Sequence, residues 1–217
     1  MLTLLKKDLL IELRRREVLP AMLVFVVLVA MVFSFAFELD PATVKSAAGG
    51  VVWGTLVFSA MLGFQRSFSS EQDRNTLDGL LLAPVNRFSI FISKMLVVWI
   101  YVLITALVVL PVYSILSNIN LINLKILLTV SLGSLGFCAA GTLIAALSSY
   151  SRAREVLLPV LLLPVALPLL MAAVRVTNGI LQGAAFSALQ QGLAIMIGFD
   201  IILLVAAWLM SDILIGE

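Results

Sequence analysis

The 217-residue sequence contains no histidine and one cysteine, Cys138. Without an imidazole the chain cannot offer a His ligand to haem or a metal, and it cannot build a Ser-His or Cys-His catalytic pair. A lone cysteine forms no intrachain disulfide and leaves no CxxC, which argues against a structural zinc site. A GxxxxGK[ST] phosphate loop is also absent, so the chain does not bind ATP in the P-loop manner. Charge is scarce as well: 12% of residues are charged, against about 25% in an ordinary soluble domain. So little polar surface cannot cover an apolar core in water. The net charge of +2 gives no electrostatic case for a nucleic-acid partner.

What is present is apolar sequence, 62% of the chain. It falls into six runs near 18–37, 47–64, 95–116, 126–148, 156–174 and 193–210, each about long enough for a hydrocarbon core of roughly 30 Å. The expectation is an all-α integral membrane protein, a single transmembrane domain over 1–217, with membrane lipid as its surroundings. The first run is too long for a signal peptide and reads as a retained anchor. Basic residues set the orientation. Lys6, Lys7, Arg14, Arg15, Arg16, Arg66, Arg74, Arg87, Lys94, Arg152 and Arg154 fall on one side; only Lys45, Lys125 and Arg175 fall on the other. Both termini are therefore expected in the cytoplasm. Before the first run, Leu2, Leu5, Leu9 and Leu13 form one stripe at helical spacing among basic residues, as in a helix lying in the membrane interface.

One cytoplasmic connection is unusual. "FQRSFSSEQDRNTLDGLLLAPVNRFSIFISK", from Phe64 to Lys94, packs charge, turn signals and amphipathic pattern between apolar runs. Ser69 or Ser70 can cap a helix with Glu71 and Asp73 in its first turn, where the helix dipole favours acids. Leu77, Leu80 and Leu81 follow at i, i+3, i+4, and Pro84 stops the helix. A second amphipathic run carries Phe88, Phe91, Ile92 and Met95 on one face. This predicts a helix–break–helix along the cytoplasmic membrane surface, with polar residues open to a soluble partner.

Three further features call for explanation. The fifth run holds Pro159, Pro164 and Pro168, each removing a backbone donor, so that helix is expected to kink or break. "RVTNGILQGAAFSALQQG", which follows, predicts a short outer-face helix or re-entrant piece. Asp200 lies in the last run, about 10 Å from its outer end if that run begins at Leu193, and an intramembrane acid is a candidate polar site. Small residues suited to close helix packing occur as Gly50 and Gly54 in the second run and as Gly133, Gly136 and Gly141 in the fourth. They fit intrachain packing or a dimer seam equally well.

Taken together, these features resemble the type-2 ABC transporter permeases, and more narrowly the CcmB family of bacterial cytochrome c maturation (haem exporter) systems. The residues that carry the resemblance are Arg66–Phe68, "LDGLLLAP" from Leu77 to Pro84, Lys94, and "SRAREVLLPVLLLPVALPLL" from Ser151 to Leu170. Gln65 departs from it, since family members usually have an acid before this arginine. The resemblance implies a non-catalytic permease subunit in the bacterial inner membrane. It would pair with a separate CcmA-like ATPase and work beside CcmC-like, CcmD-like and CcmE-like proteins, as a homodimer within the complex. The Ser70–Ala83 helix of the 65–94 region would be the coupling helix seated on that ATPase, with Glu71, Asp73, Arg74, Leu77, Leu80, Leu81, Pro84 and Arg87 making the contact. No cofactor would be bound directly; haem would be the system's substrate. The missing histidine favours ATP-driven release of a haem-loaded chaperone over direct handling of haem, whose iron is held by His, Cys, Met or Tyr. The alternatives are a type-2 permease for a lipid-linked glycan or a drug, or a proton-coupled secondary transporter using Asp200.

Overall fold

The computed structural model describes residues 18–36, 41–72, 87–148 and 154–214. Among these the chain forms α1 (Val18–Ala36), α2 (Pro41–Gln72), α3 (Arg87–Ser117), α4 (Leu124–Ser148), α5 (Arg154–Leu181) and α6 (Phe186–Leu214). All six are long and apolar enough to cross a membrane, so the chain is a multi-pass membrane protein. The N-terminal interfacial stripe lies outside the described residues.

Side-chain pairings fix how the helices run. Trp53 and Phe64 of α2 meet Gly133 and Gly141 of α4 in the same order, so those two helices are parallel. Met196 and Asp200 of α6 meet Gly133 and Gly136, which makes α6 parallel to them too. Thr177 and Asn178 of α5 bond to Trp53 and Gly49, so α5 runs opposite. One end of the bundle thus carries the turns at 118–123 and 182–185, and the other carries the connections at 73–86 and 149–153.

α4 is the central helix and packs against α2, α3, α5 and α6. Its sequence explains this position. Ser131, Gly133, Ser134, Gly136, Ala139, Ala140 and Gly141 give it a thin surface on several sides, and in lipid, where apolar surface alone does not drive helices together, close van der Waals contact does. α1 is the opposite case. It buries a single stripe, Val18, Met22, Val26 and Ala30, against α2 and α3, and turns Val24, Leu28 and Val32 outward. Gly63 of α2 gives Met22 room, since a Cβ there would lie 3.3 Å from the methionine sulfur.

The turns use local hydrogen-bond chemistry. α3 ends at Asn118, whose φ of 53° is left-handed, with the Ile119 N–H reaching back to the Ser114 carbonyl at 3.2 Å. α4 then starts on an Asn123 cap, whose Oδ1 accepts the Lys125 N–H at 3.0 Å. α5 ends in a Schellman motif with Gly183 at φ 75°. The Ala184 N–H bonds the Gly179 carbonyl at 2.9 Å and the Gly183 N–H bonds the Ile180 carbonyl at 3.1 Å.

The structure corrects three expectations and narrows a fourth. The outer-face helix does not form: its residues are shared between the end of α5 and the start of α6, separated only by the Gly183 turn. Polarity near a membrane boundary lengthened two helices instead of creating a third. The three prolines leave α5 helical throughout, so of a kink or a break the break does not occur. Pro164 and Pro168 sit on its exposed side, while its packing stripe of Leu158, Leu162, Ala166, Leu169 and Ala173 is uninterrupted. Ser69 and Ser70 do not begin a helix, because α2 continues through both to Gln72 with no Gly or Pro between to stop it. The amphipathic run after Pro84 is not a separate surface element but the first turns of α3. Its Phe91 and Met95 are buried in the bundle, and Phe88 stacks on Phe91 with ring centroids 6.4 Å apart.

Candidate functional site

Two places hold the residues singled out by sequence. The first is the end of α2 and the start of α3. Glu71 stands in the last turn of α2 and Arg87 opens α3, so the structure brings the flanks of the polar stretch to the same end of the bundle. Glu71 therefore closes a helix and does not begin one. Asp73, Arg74, Leu77, Leu80, Leu81 and Pro84 lie outside the described residues. What is described is how the stretch is mounted. α2 has 32 residues, about 48 Å at 1.5 Å per residue, more than a hydrocarbon core of roughly 30 Å requires. The final turns carry "RSFSSEQ" beyond the apolar layer.

The second place is the α4 seam. A Cβ on Gly133 would strike the Trp53 indole, one on Gly136 would strike Asp200 Oδ1, and one on Gly141 would strike the Phe64 ring. The glycines are where α2 and α6 sink large side chains into α4. Phe64 also meets Phe137, with centroids 6.2 Å apart and rings tilted by 48°. From the other side the Trp99 indole N–H of α3 donates to the Ser131 carbonyl and to Ser134 Oγ, both at 3.1 Å. Gly50 and Gly54 take no part: a Cβ on either meets nothing within 4 Å.

Asp200 is more deeply placed than its sequence position suggested. α6 begins at Phe186, so Asp200 lies about 21 Å along it, near the middle of the Phe186–Met210 span. It is 5% exposed, and neither carboxyl oxygen has a hydrogen-bond partner among the described residues. Unpartnered polar groups in hydrocarbon are rare and costly. It is pressed onto the bare backbone of α4 at Gly136, beside Leu169 of α5. Cys138 is fully buried two residues further along α4. No group of three His, Cys, Asp or Glu able to hold a metal exists among the described residues.

A third cluster has no counterpart in the sequence reading. At the turn end, α2 and α5 are fastened by hydrogen bonds. The Gly49 N–H donates to Asn178 Oδ1 at 2.9 Å, Asn178 Nδ2 donates to the Ser46 carbonyl at 2.9 Å, and the Trp53 indole N–H donates to Thr177 Oγ1 at 3.0 Å. Thr177 in turn donates to the Ala173 carbonyl at 2.8 Å. Gly49 is required because Asn178 Oδ1 occupies the space of a Cβ. The available signal was a Thr-Asn pair at the end of one apolar run and a Trp among the small residues of another.

Comparison with known proteins agrees along the length of the chain. The family model described as "CcmB protein" matches residues 1–212. The chain is 25% identical over 199 residues to "Heme exporter protein B" of Haemophilus influenzae, covering 91% of this chain and 88% of that protein. It is 25% identical over 199 residues to the protein of the same name from Rhodobacter capsulatus, covering 91% and 90%. It is 23% identical over 171 residues to that of Pseudomonas aeruginosa, covering 78% and 77%.

Proposed function

Because the chain belongs to the CcmB family, we propose that it is the permease-type membrane subunit of a haem exporter complex serving cytochrome c maturation in the bacterial inner membrane. It carries the motion of a separate CcmA-like ATPase into the membrane and is not itself the catalyst. CcmC-like, CcmD-like and CcmE-like proteins complete the assembly.

The observation that carries the coupling role is the mounting of α2. This helix is hydrogen-bonded to α5 at the turn end, seated through Trp53 and Phe64 on α4 in the middle, and extended through the polar residues "RSFSSEQ" to Gln72. α3 begins at Arg87 and is rooted on α4 through Trp99. A push on residues 73–86, between the two, is delivered to the central helix by rigid elements. The excess of basic residues on this side in the sequence supports a cytoplasmic position by the positive-inside rule, where an ATPase can reach it. Haem is the substrate of the system. Release of a haem-loaded chaperone fits this chain better than passage of haem down its axis. The centre of the bundle along α4 is filled by Trp53, Phe64 and Phe137, and the sequence has no histidine.

Co-purification from cells expressing the whole complex tests the coupling. Leu77→Asp and Leu80→Asp are expected to release the ATPase while leaving the chain in the membrane. Retention of the ATPase by both variants would sink the claim. Blocking ATP hydrolysis in the partner is expected to stop cytochrome c maturation; normal maturation would leave this chain a passive scaffold.

A further inference from the structure

The turn-end half of the α5–α6 hairpin is built as one piece. The two helices are joined by the short turn at Gly183. Below it, Leu189 of α6 fills the place of a Cβ on Gly179 of α5, and Val176 of α5 does the same on Gly192 of α6. This piece is tied to α2 through Thr177 and Asn178. Trp53 of α2 and Met196 of α6 also share one seat on α4, at Gly133.

The root of the piece is soft in both helices. In α5, Pro164 and Pro168 have no N–H, so the carbonyls of Val160 and Pro164 lose their helical donors. Both prolines lie opposite the packing stripe, so a bend there carries Leu169 and Ala173 toward or away from α4. From Val156 to Val174 no side chain has an N–H or O–H, and this length is held by van der Waals contact alone. In α6, Gly198 is a mid-helix glycine with nothing within 4 Å of the place a Cβ would take. It weakens the helix without the packing that accounts for Gly179 and Gly192.

Asp200 stands two residues beyond Gly198. Its Oδ1 covers Gly136 beside Leu169, the first residue after Pro168. A buried carboxyl without a partner among the described residues, a bare stretch of α4 and the soft turns of two helices thus meet at one level. An orphaned buried polar group in a folded protein calls for an account, and strain held in one state is such an account. A bend of about 20° at Pro164 would move Thr177 by about 7 Å and Leu169 by about 2.5 Å, over arms of about 20 Å and 7.5 Å. The second displacement is close to the width of a water, about 2.8 Å.

We propose that the turn-end half of the α5–α6 hairpin is a flap over α4, that it lifts when the ATPase displaces α2, and that Asp200 biases it toward lifting because water then reaches the carboxyl. The structure holds the flap closed, with Leu169, Met196 and Asp200 buried. Lifting withdraws Met196 from Gly133 and hydrates Asp200, which relieves the desolvation of its oxygens. The carboxyl acts on this two-state element only through the difference between its surroundings in the two states. The proposal rests on the coupling role, since α2 is both the helix that leads to residues 73–86 and the helix to which the flap is tied.

The test uses the whole complex with its ATPase, in lipid nanodiscs, labelled by hydroxyl radicals formed from water, with oxidation read residue by residue by mass spectrometry. With a slowly hydrolysed ATP analogue bound, Met196 oxidation is expected to rise at least about fivefold over the nucleotide-free complex. Met22, buried on Gly63 of α2, stays protected in both. Gly198→Ala, whose Cβ meets nothing within 4 Å, stiffens the root and lowers the nucleotide-bound oxidation by about threefold. Asp200→Leu lowers it by about tenfold. Asp200→Asn keeps a polar group at the site and stays within about twofold of the parent. Met196 protected in both states, with a bound and hydrolysing ATPase, overturns the flap and leaves the coupling role standing. Met22 and Met196 rising together overturns it in favour of general loosening, and Asp200→Leu opening as readily as the parent overturns the role of the carboxyl. Failure of the ATPase to co-purify overturns the coupling role and, with it, the drive proposed for the flap.

Discussion

The glycines of α4 and those of α2 look alike in the sequence and behave in opposite ways in the fold. Gly133, Gly136 and Gly141 are each filled by a side chain from another helix: Trp53, Asp200 and Phe64. Gly50 and Gly54, which form the recognisable GxxxG pair, meet nothing within 4 Å and face outward. A small residue in a membrane helix permits close approach, but whether anything approaches depends on what the neighbouring helix presents at that height. Both helices pack against four others, but the three glycines of α4 each face one of them, whereas Gly50 and Gly54 lie on the side of α2 that faces none.

Several substitutions break or sharpen this contrast. Gly141→Leu should have the largest effect. It must displace the Phe64 ring and strain the α2–α4 contact, at a cost of about 1–3 kcal/mol or more, and thermal denaturation in detergent should show it at once. Gly54→Leu should stay within about 0.5 kcal/mol of the parent; equal losses at the two positions would erase the distinction. Asp200→Leu should come next, with the opposite sign. It removes two unpartnered oxygens from mid-membrane and replaces them with a side chain of similar shape, so stability should rise by about 1–3 kcal/mol. Asp200→Asn should leave cytochrome c maturation intact. Loss of maturation in a folded, ATPase-bound Asp200→Asn protein would make this carboxyl a working group, as the secondary-transporter reading requires. Asn178→Ala removes both bonds between Asn178 and α2 and should cost about 1 kcal/mol, since interhelical hydrogen bonds in membranes average about 0.6 kcal/mol. Gly50→Ala should be the smallest change, with no shift detectable in the same melt.

The two polar features of the sequence fared differently for a related reason. The 65–94 stretch was conspicuous because charge in so apolar a chain is conspicuous, and its flanks do sit together at one end of the bundle, held by α2 and α3. Its first edge was misread. Ser69 and Ser70 are good capping residues, yet they begin no helix where the preceding one simply continues. Asp200 was visible as an acid in an apolar run, but its depth was not. Placing the span at 193 made it shallow; the Gly183 turn, which starts α6 at Phe186, puts it mid-membrane. The α2–α5 fasteners were illegible because Gly49, Trp53, Thr177 and Asn178 lie far apart in the chain and none is unusual alone.

By itself the sequence determined that this is a six-helix membrane chain of the CcmB family. Those are properties of local sums: an apolar run is long enough to span whatever stands next to it. Only the tertiary structure decided which glycines are filled, where Asp200 lies, and that α4 is the centre. In lipid the apolar faces of a helix carry no hydrophobic signal to separate a neighbour from the solvent, so the choice of partner rests on shape and on a few hydrogen bonds between residues distant in the chain.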